Sequence, residues 1–327
     1  MLDFKYNLQL FAGELNTQTT GAEGLSVEMK TYYSDYLIDN AMPELVHDQF
    51  GQKHPIPKNG GKKIEFRKFL PFGKALTPIQ EGVTPDGQSL SVTKIEATVE
   101  QYGAYVTLSD IVQLTAIDNT LLETTKLLGS QAGMTLDTIT REVLNGGTSV
   151  IYAGGKEARN ALDADCKLTV DDVYKAARFL KAQNAPKIDG SYVAIIHPDV
   201  AYDLMRDDEW IDVHKYSETK EIFEGEIGKI AGVRFVETTE AKIFADGGAS
   251  NRDVYSTLVL GANAYGVTEL TGGGLQHIVK QLGSGGTSDP LNQRGTAGWK
   301  ATKVAERLVE SYMVRIESAS SFESGAN

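Results

Sequence analysis

Cysteine is nearly absent from this 327-residue chain: Cys166 stands alone, which excludes an intrachain disulfide framework and any multi-cysteine zinc site. It lies in Asp163-Ala164-Asp165-Cys166-Lys167, where neighbouring carboxylates raise a thiol pKa. It reads as an incidental residue of a protein made in a reducing cytoplasm. Histidine is scarce and scattered: His47, His54, His197, His214 and His277 offer no pair with metal-ligand spacing. His197, followed by Pro198, reads as the end of a strand. No apolar run approaches the ~18 residues of a membrane-spanning helix. Leu8, Leu10, Phe11 and Ala12 fall short of the apolar core of a secretory signal.

The catalytic motifs are missing too. Glycine is plentiful, but Gly225-x-x-Gly228-x-x-x-Gly232 lacks the dinucleotide-binding order, and Gly272-Gly273-Gly274 has no helix after it to hold an anion. Neither a phosphate-binding G-x-x-x-x-G-K-[ST] loop nor a G-x-S-x-G nucleophile turn occurs. Asp207-Asp208-Glu209 reads as a solvated helix end, and Asp163-x-Asp165 does not complete a calcium loop. The reading therefore assigns no catalytic, cofactor-binding or metal-binding residue. Net charge is −12 with a pI near 5.0, which argues against a surface built to grip a polyanion. The one dense basic cluster, Lys62, Lys63, Arg67 and Lys68, reads as a charged strand edge that resists mispairing.

What is present is 41% hydrophobic residues, enough for real cores, arranged in a telling order. Residues 13–26 form a polar, glycine-spaced arm. Tyr33, Leu37, Ala41 and Leu45 predict a short helix over Tyr32–Val46, weakened by Pro43. Two strand-like runs, Lys63–Phe69 and Val92–Leu108, flank a Gly/Pro-rich insert and read as a long hairpin. An isolated two-stranded ribbon is marginal in water, so it needs a surface to lie on. Asp118 is a cap and Gly146-Gly147 a stop for a helix over 119–144, with Leu121, Leu128, Ala132, Leu136, Ile139 and Val143 on one stripe. The stretch 168–282 reads as α/β. It holds a helix capped by Thr169, strands at Tyr192–Ile196, Val233–Val236, Ser256–Leu260 and Gln276–Gln281, and a helix in Asp199–Met205. The closing run, Trp299–Ala305 plus Leu308–Ile316, is strand-like and is expected to return to the long helix.

Local stretches add to this order: Ile196-His197-Pro198-Asp199-Val200-Ala201-Tyr202-Asp203-Leu204, Gly228–Thr238, Asp289–Lys300 and the opening Asn7–Ala12. Together they resemble the tailed-phage major capsid proteins of the HK97 fold, the phage N4 gp56-like family in particular. The resemblance implies an α+β HK97-like capsid fold with an N-arm, an E-loop β-hairpin, a P-domain spine helix plus antiparallel sheet, and an α/β A-domain. Its segments would be the N-arm at 1–54, the E-loop and first P-domain strand at 55–107, and the spine helix at 108–160. The A-domain would follow at 161–288, with C-terminal P-domain strands at 289–327. It also implies a homo-oligomer of hexamers and pentamers closing into a shell around double-stranded DNA, without sequence-specific binding. Scaffolding, portal and decoration proteins are the implied partners, with no membrane and no cofactor. Assembly would take place in the host cytoplasm and the product would be a virion. One branch of that fold joins neighbours through a Lys–Asn bond. Lys62, Lys63, Lys68 and Lys74 lie in the hairpin, but nothing singles out an asparagine. An encapsulin-like compartment is the alternative within the fold, and a soluble α/β enzyme with a hairpin lid the alternative outside it.

Overall fold

The computed structural model describes residues 17–18, 45–56, 61–69, 72–76, 78, 81–82, 87–111, 120–215, 228–268, 274–284 and 289–327. In chain order these form β1 (Thr17–Gln18), β2 (Gln52–Lys53), β3 (Lys63–Phe69), β4 (Val92–Thr98), β5 (Glu100–Ser109) and α1 (Thr120–Asn145). There follow β6 (Val150–Tyr152), α2 (Val170–Ala182), β7 (Tyr192–Ile196), α3 (Pro198–Met205), α4 (Asp208–Lys215), β8 (Lys229–Ile230) and β9 (Val233–Glu237). The last are β10 (Ile243–Phe244), β11 (Val254–Leu260), β12 (Tyr265–Thr268), β13 (Gln276–Lys280), β14 (Arg294–Arg307) and β15 (Met313–Ser318). Nearly all of the helix expected over Tyr32–Val46, and the cap at Asp118, lie outside the described residues. The chain clusters into two compact units: residues 1–45, 101–136 and 273–302 in one, residues 46–100, 137–272 and 303–327 in the other.

In the first unit β14 is the common partner, pairing with β5 and antiparallel to β13. Of the polar arm, Thr17 and Gln18 are described, as a short strand parallel to β5 at Thr107 and Leu108. In this unit's part of α1, Leu121, Leu128, Ala132 and Leu136 are buried, as their spacing predicts. The Trp299 indole N–H donates to Gln131 Oε1 at 3.3 Å, so this part of the closing run does return to the long helix.

The second unit is built on a sheet ordered β6-β15-β11-β7-β9-β8, with β10 added on β11. Tyr192-Val193-Ala194-Ile195-Ile196 is buried throughout, as a strand covered on both faces must be. Thr169 caps α2 by accepting from the Asp172 N–H, and Asp171 and Asp172 face the helix N-terminus, where negative charge is favoured. Val170, Val173, Ala177 and Leu180 then bury one stripe of α2 against the sheet. Trp210 of α4 closes the core edge-on to Phe235, 5.5 Å between rings.

Helix α1 ends at Asn145, and the Gly146 N–H folds back to Glu142 O at 3.1 Å. Its last turn carries no basic residue, yet its final carbonyls need donors. Arginines from two strands supply them: Arg307 bonds Val143 O, and Arg315 bonds Asn145 O and Gly147 O.

Three strand expectations change. The run Val92–Leu108 is two strands, because the buried Val99 turns its N–H onto Lys62 O at 2.9 Å and closes the hairpin root. Ile95 is half-buried and Ala97 and Val99 are buried, while Gln101 is exposed. The run Leu308–Ile316 is also broken: Leu308 and Val309 both donate to Ala264 O, and a 3₁₀ turn at Glu310–Tyr312 precedes β15. The two closing strands then separate, since β15 pairs with β11 and β6 rather than with β14. Finally Gln276–Lys280, read with the α/β stretch, pairs with β14.

Candidate assembly surfaces

Strands β3 and β4 pair only with each other among the described residues, in register from Lys63↔Thr98 to Phe69↔Val92. The root of this ribbon is anchored by Phe66, Ala97 and Val99, all buried. Phe66 sits on Gly266, where a β-carbon would lie 2.8 Å from the ring, and meets His54 edge-on at 5.9 Å. Among the described residues past the root, large apolar side chains are uncovered: Phe72 is 60%, Leu76 82% and Leu90 59% exposed. The charged residues along the ribbon form two cross-strand pairs, Lys63 with Glu96 and Lys94 with Glu65, and two within a strand, Lys94 with Glu96 and Arg67 with Glu65. Lys63 and Arg67 of the basic cluster therefore belong to a mixed ladder, which supports the strand-edge reading. Exposed pairs of this kind add little stability.

The first unit also leaves apolar side chains uncovered, Tyr105 on β5 and Leu127 on α1 among them. A groove of about 530 Å³ on its sheet is lined by Tyr105, Ile278, Lys280, Asp289, Arg294 and Trp299. Surfaces of this sort signify contact with another molecule.

Inside the second unit, several buried charged groups are paired with one another. Glu317 is fully buried and bonds Arg159 through both oxygens at 2.7 Å, while Arg315 Nε joins it at 2.7 Å. The Arg159 guanidinium stacks 3.5 Å from the centre of the Phe244 ring. A second buried cluster joins the segment before β2 to α1 and β14. His47 bonds Asp137 through its backbone N–H at 2.7 Å and its Nδ1 at 2.5 Å. Beside it Asp48 accepts from Thr140 at 2.6 Å and pairs with Lys303. No local pattern marks these residues, whose partners lie about ninety or more positions away; Arg315-x-Glu317 on one face of an apolar strand is the single hint.

Several of the residues weighed for chemistry make structural contacts. Asp207 caps two helices, accepting from the Val170 N–H at 3.0 Å and the Glu209 N–H at 3.0 Å. Asp163 accepts from the Cys166 thiol and from Lys156, which draws its carboxyl down to about 2. Burial first and Asp163 second push the Cys166 thiol up, as its acidic neighbours predict. Among the described residues no cluster of three or more His, Cys, Asp or Glu could hold a metal.

His197 ends β7 and caps α3, its Nδ1 accepting from the Asp199 N–H at 3.2 Å. Burial lowers its pKa below the usual 6.5, outweighing the attraction of Asp199 3.4 Å away. His277 is lowered by burial too. A folded-state pKa below the unfolded one means that the unfolded chain takes the proton first. Stability is then full above 6.5 and falls as pH drops through that value. Thermal melts between about pH 8 and 5 should show this decline, and His197→Asn, which keeps a capping oxygen, should flatten part of it. An unchanged slope in the variant would exclude His197 as a source.

An anchored ribbon with an apolar tip, a second exposed apolar face and buried charges paired with one another define a subunit made for contact, a structural assembly protein. Residues 92–306, more than half of the chain, match the family model described as phage capsid protein, and the chain belongs to that family. No curated protein sequence matches it. Among solved structures it is similar to the capsid of Ralstonia phage GP4, at 14% identity over 99% of this chain and 100% of that one, with a TM-score of 0.70. It is similar to the capsid of cyanophage P-SCSP1u at 15% identity over 96% and 94%, TM-score 0.66. The cyanophage Pam1 capsid aligns at 14% identity over 98% and 100%, TM-score 0.66. The fold is thus the mixed helix-and-sheet, HK97-like capsid fold, and the protein is a structural major capsid protein of the virion.

Proposed function

We propose that this subunit builds an icosahedral head from hexamers and pentamers, enclosing double-stranded DNA, and that its branch is the phage N4 gp56-like one. The observation that carries the reading is the ribbon β3–β4, held at its root by Phe66 and bearing Phe72, Leu76 and Leu90 uncovered at its tip. Such a tip gains stability when it lies on an adjacent copy, which couples folding to assembly. Heterologous contacts of this kind, repeated with rotation, close into shells. In this reading 1–54 is the N-arm, 55–107 the E-loop with the first P-domain strand, 108–160 the spine, 161–288 the A-domain and 289–327 the closing strands. Within it, β13 and β15 have the sheet partners described above. Scaffolding and portal proteins would guide assembly in the host cytoplasm. The acidic balance of the chain suits a lumen that does not trap DNA.

Sedimentation and negative-stain imaging of the purified chain, alone and with a scaffold partner, test the proposal. Shells, rings or sheets are expected. A stable monomer at high concentration under both conditions would sink it. DNA rather than an enzyme cargo inside native particles separates this reading from an encapsulin-like compartment.

A further inference from the structure

After β15 the chain does not leave the surface. Residues 320–327 lie along a groove of the second unit whose floor is polar and reads side chains. Asp203 accepts three hydrogen bonds from two successive serines: Ser320 Oγ at 2.9 Å, Ser321 N at 2.7 Å and Ser321 Oγ at 2.6 Å. Burial alone would raise this carboxyl. The Ser321 and Ser320 bonds, with Lys167, outweigh it and hold the pKa below the usual range. Phe322 meets Tyr202 edge-on at 5.3 Å. Ser324 donates to Asp199 at 2.6 Å, and the Gly325 N–H donates to Asp253 at 2.8 Å. Gly325 has φ +76°, a conformation that glycine adopts without strain.

The last side chain is recognised on all its polar groups. The Asn327 amide donates to Thr239 O at 2.8 Å and Ala241 O at 2.7 Å, and its oxygen accepts from the Ile243 N–H at 3.1 Å. Arg141 holds its backbone oxygen at 3.1 Å. Aspartate here would set an anion against two carbonyls, and glutamine would overreach by one methylene. The groove therefore discriminates sequence. Ser321–Ser324, Ala326 and Asn327 are nevertheless exposed, so the segment is held by polar contacts at an open surface. Segments with few buried apolar contacts detach at low cost compared with global unfolding.

We infer that this groove is a recognition site for the peptide Ser-Ser-Phe-Glu-Ser-Gly-Ala-Asn, and that it also accepts the segment of a second copy, making residues 320–327 an exchangeable strap between subunits. The copy-to-copy step rests on the shell reading, in which neighbouring copies are present at high effective concentration; the groove itself does not.

The test uses a chain ending at Ala319, titrated with the labelled eight-residue peptide. Saturable binding is expected. A peptide with aspartate in the last place, or Asp203→Ala in the chain, should weaken it at least about tenfold. If the shortened chain loses its fold, restoration of its circular dichroism by excess peptide is the expected result. A folded chain that takes up no peptide, or an unfolded one that is not rescued, overturns the site. For exchange, the shortened chain is mixed with full-length Asp203→Ala subunits and examined by native mass spectrometry. A heterodimer that excess free peptide dissolves is expected. Peptide binding without such a heterodimer overturns the strap while leaving the groove. Imaging of the unaltered chain scores shell formation separately.

Discussion

Replacing residues 70–91 with an Asn-Gly turn should leave a folded subunit that no longer assembles. Phe69 and Val92 are paired across β3 and β4, so a two-residue loop of this type closes the shortened hairpin without shifting its register. The root keeps Phe66 on Gly266 and the Val99 bond to Lys62. What is lost is the tip, with Phe72, Leu76 and Leu90. Fully covering three such side chains is worth about 1.5–3 kcal/mol each, so each contact would lose at most roughly 4.5–9 kcal/mol. At about 1.4 kcal/mol per decade, that moves the assembly concentration by several powers of ten. Melting of the isolated subunit should change little, while sedimentation shows no shells. Particles of ordinary size from this variant would refute the role given to the hairpin.

Glu317→Ala should be among the most destabilising single changes in the chain. The side chain is fully buried between Arg159 and Arg315, and it bonds both. Removing it leaves Arg315, itself buried, without its carboxylate, a situation that costs about 3–5 kcal/mol. Because Arg315 also holds Asn145 O and Gly147 O, the defect reaches the end of α1. A fall in Tm of roughly 4–7 °C is expected, measured by calorimetry on the unassembled subunit. As a control, Lys63→Ala, which removes an exposed pair with Glu96 between β3 and β4, should cost about 0.5 kcal/mol. A Glu317→Ala melt within about 2 °C of the parent would show that Arg315 finds other compensation.

Much of this fold is legible residue by residue. Tyr192–Ile196 announces a buried strand, Thr169 with two following aspartates starts α2, and Gly146-Gly147 stops α1 one residue after the expected end. These signals are local: a cap, a period and a breaker act within a few positions of themselves. The hairpin was legible for the same reason, from its punctuation and its period-two runs. The break at Val99 was not. It is made by a hydrogen bond to Lys62, thirty-seven positions earlier, and strand propensity continues straight through it. The uncovered apolar surface was legible as a deficit, in segments with too little nearby to bury them, and the exposed Phe72, Leu76 and Leu90 give that deficit a location.

By itself the sequence determined the elements, the hairpin and the lack of a recognisable catalytic motif, because each depends on residue types at short spacing. Only the tertiary structure decided that β15 joins β11 and β6 rather than β14. The same holds for the pairing of Glu317 with Arg159 and of His47 with Asp137, and for the folding of residues 320–327 into a groove. Those choices join residues from about fifty to more than a hundred and fifty positions apart. Short-range pattern carries no information about which distant partner completes a buried charge or a strand edge. Packing selects it, by the cost of leaving either one unsatisfied.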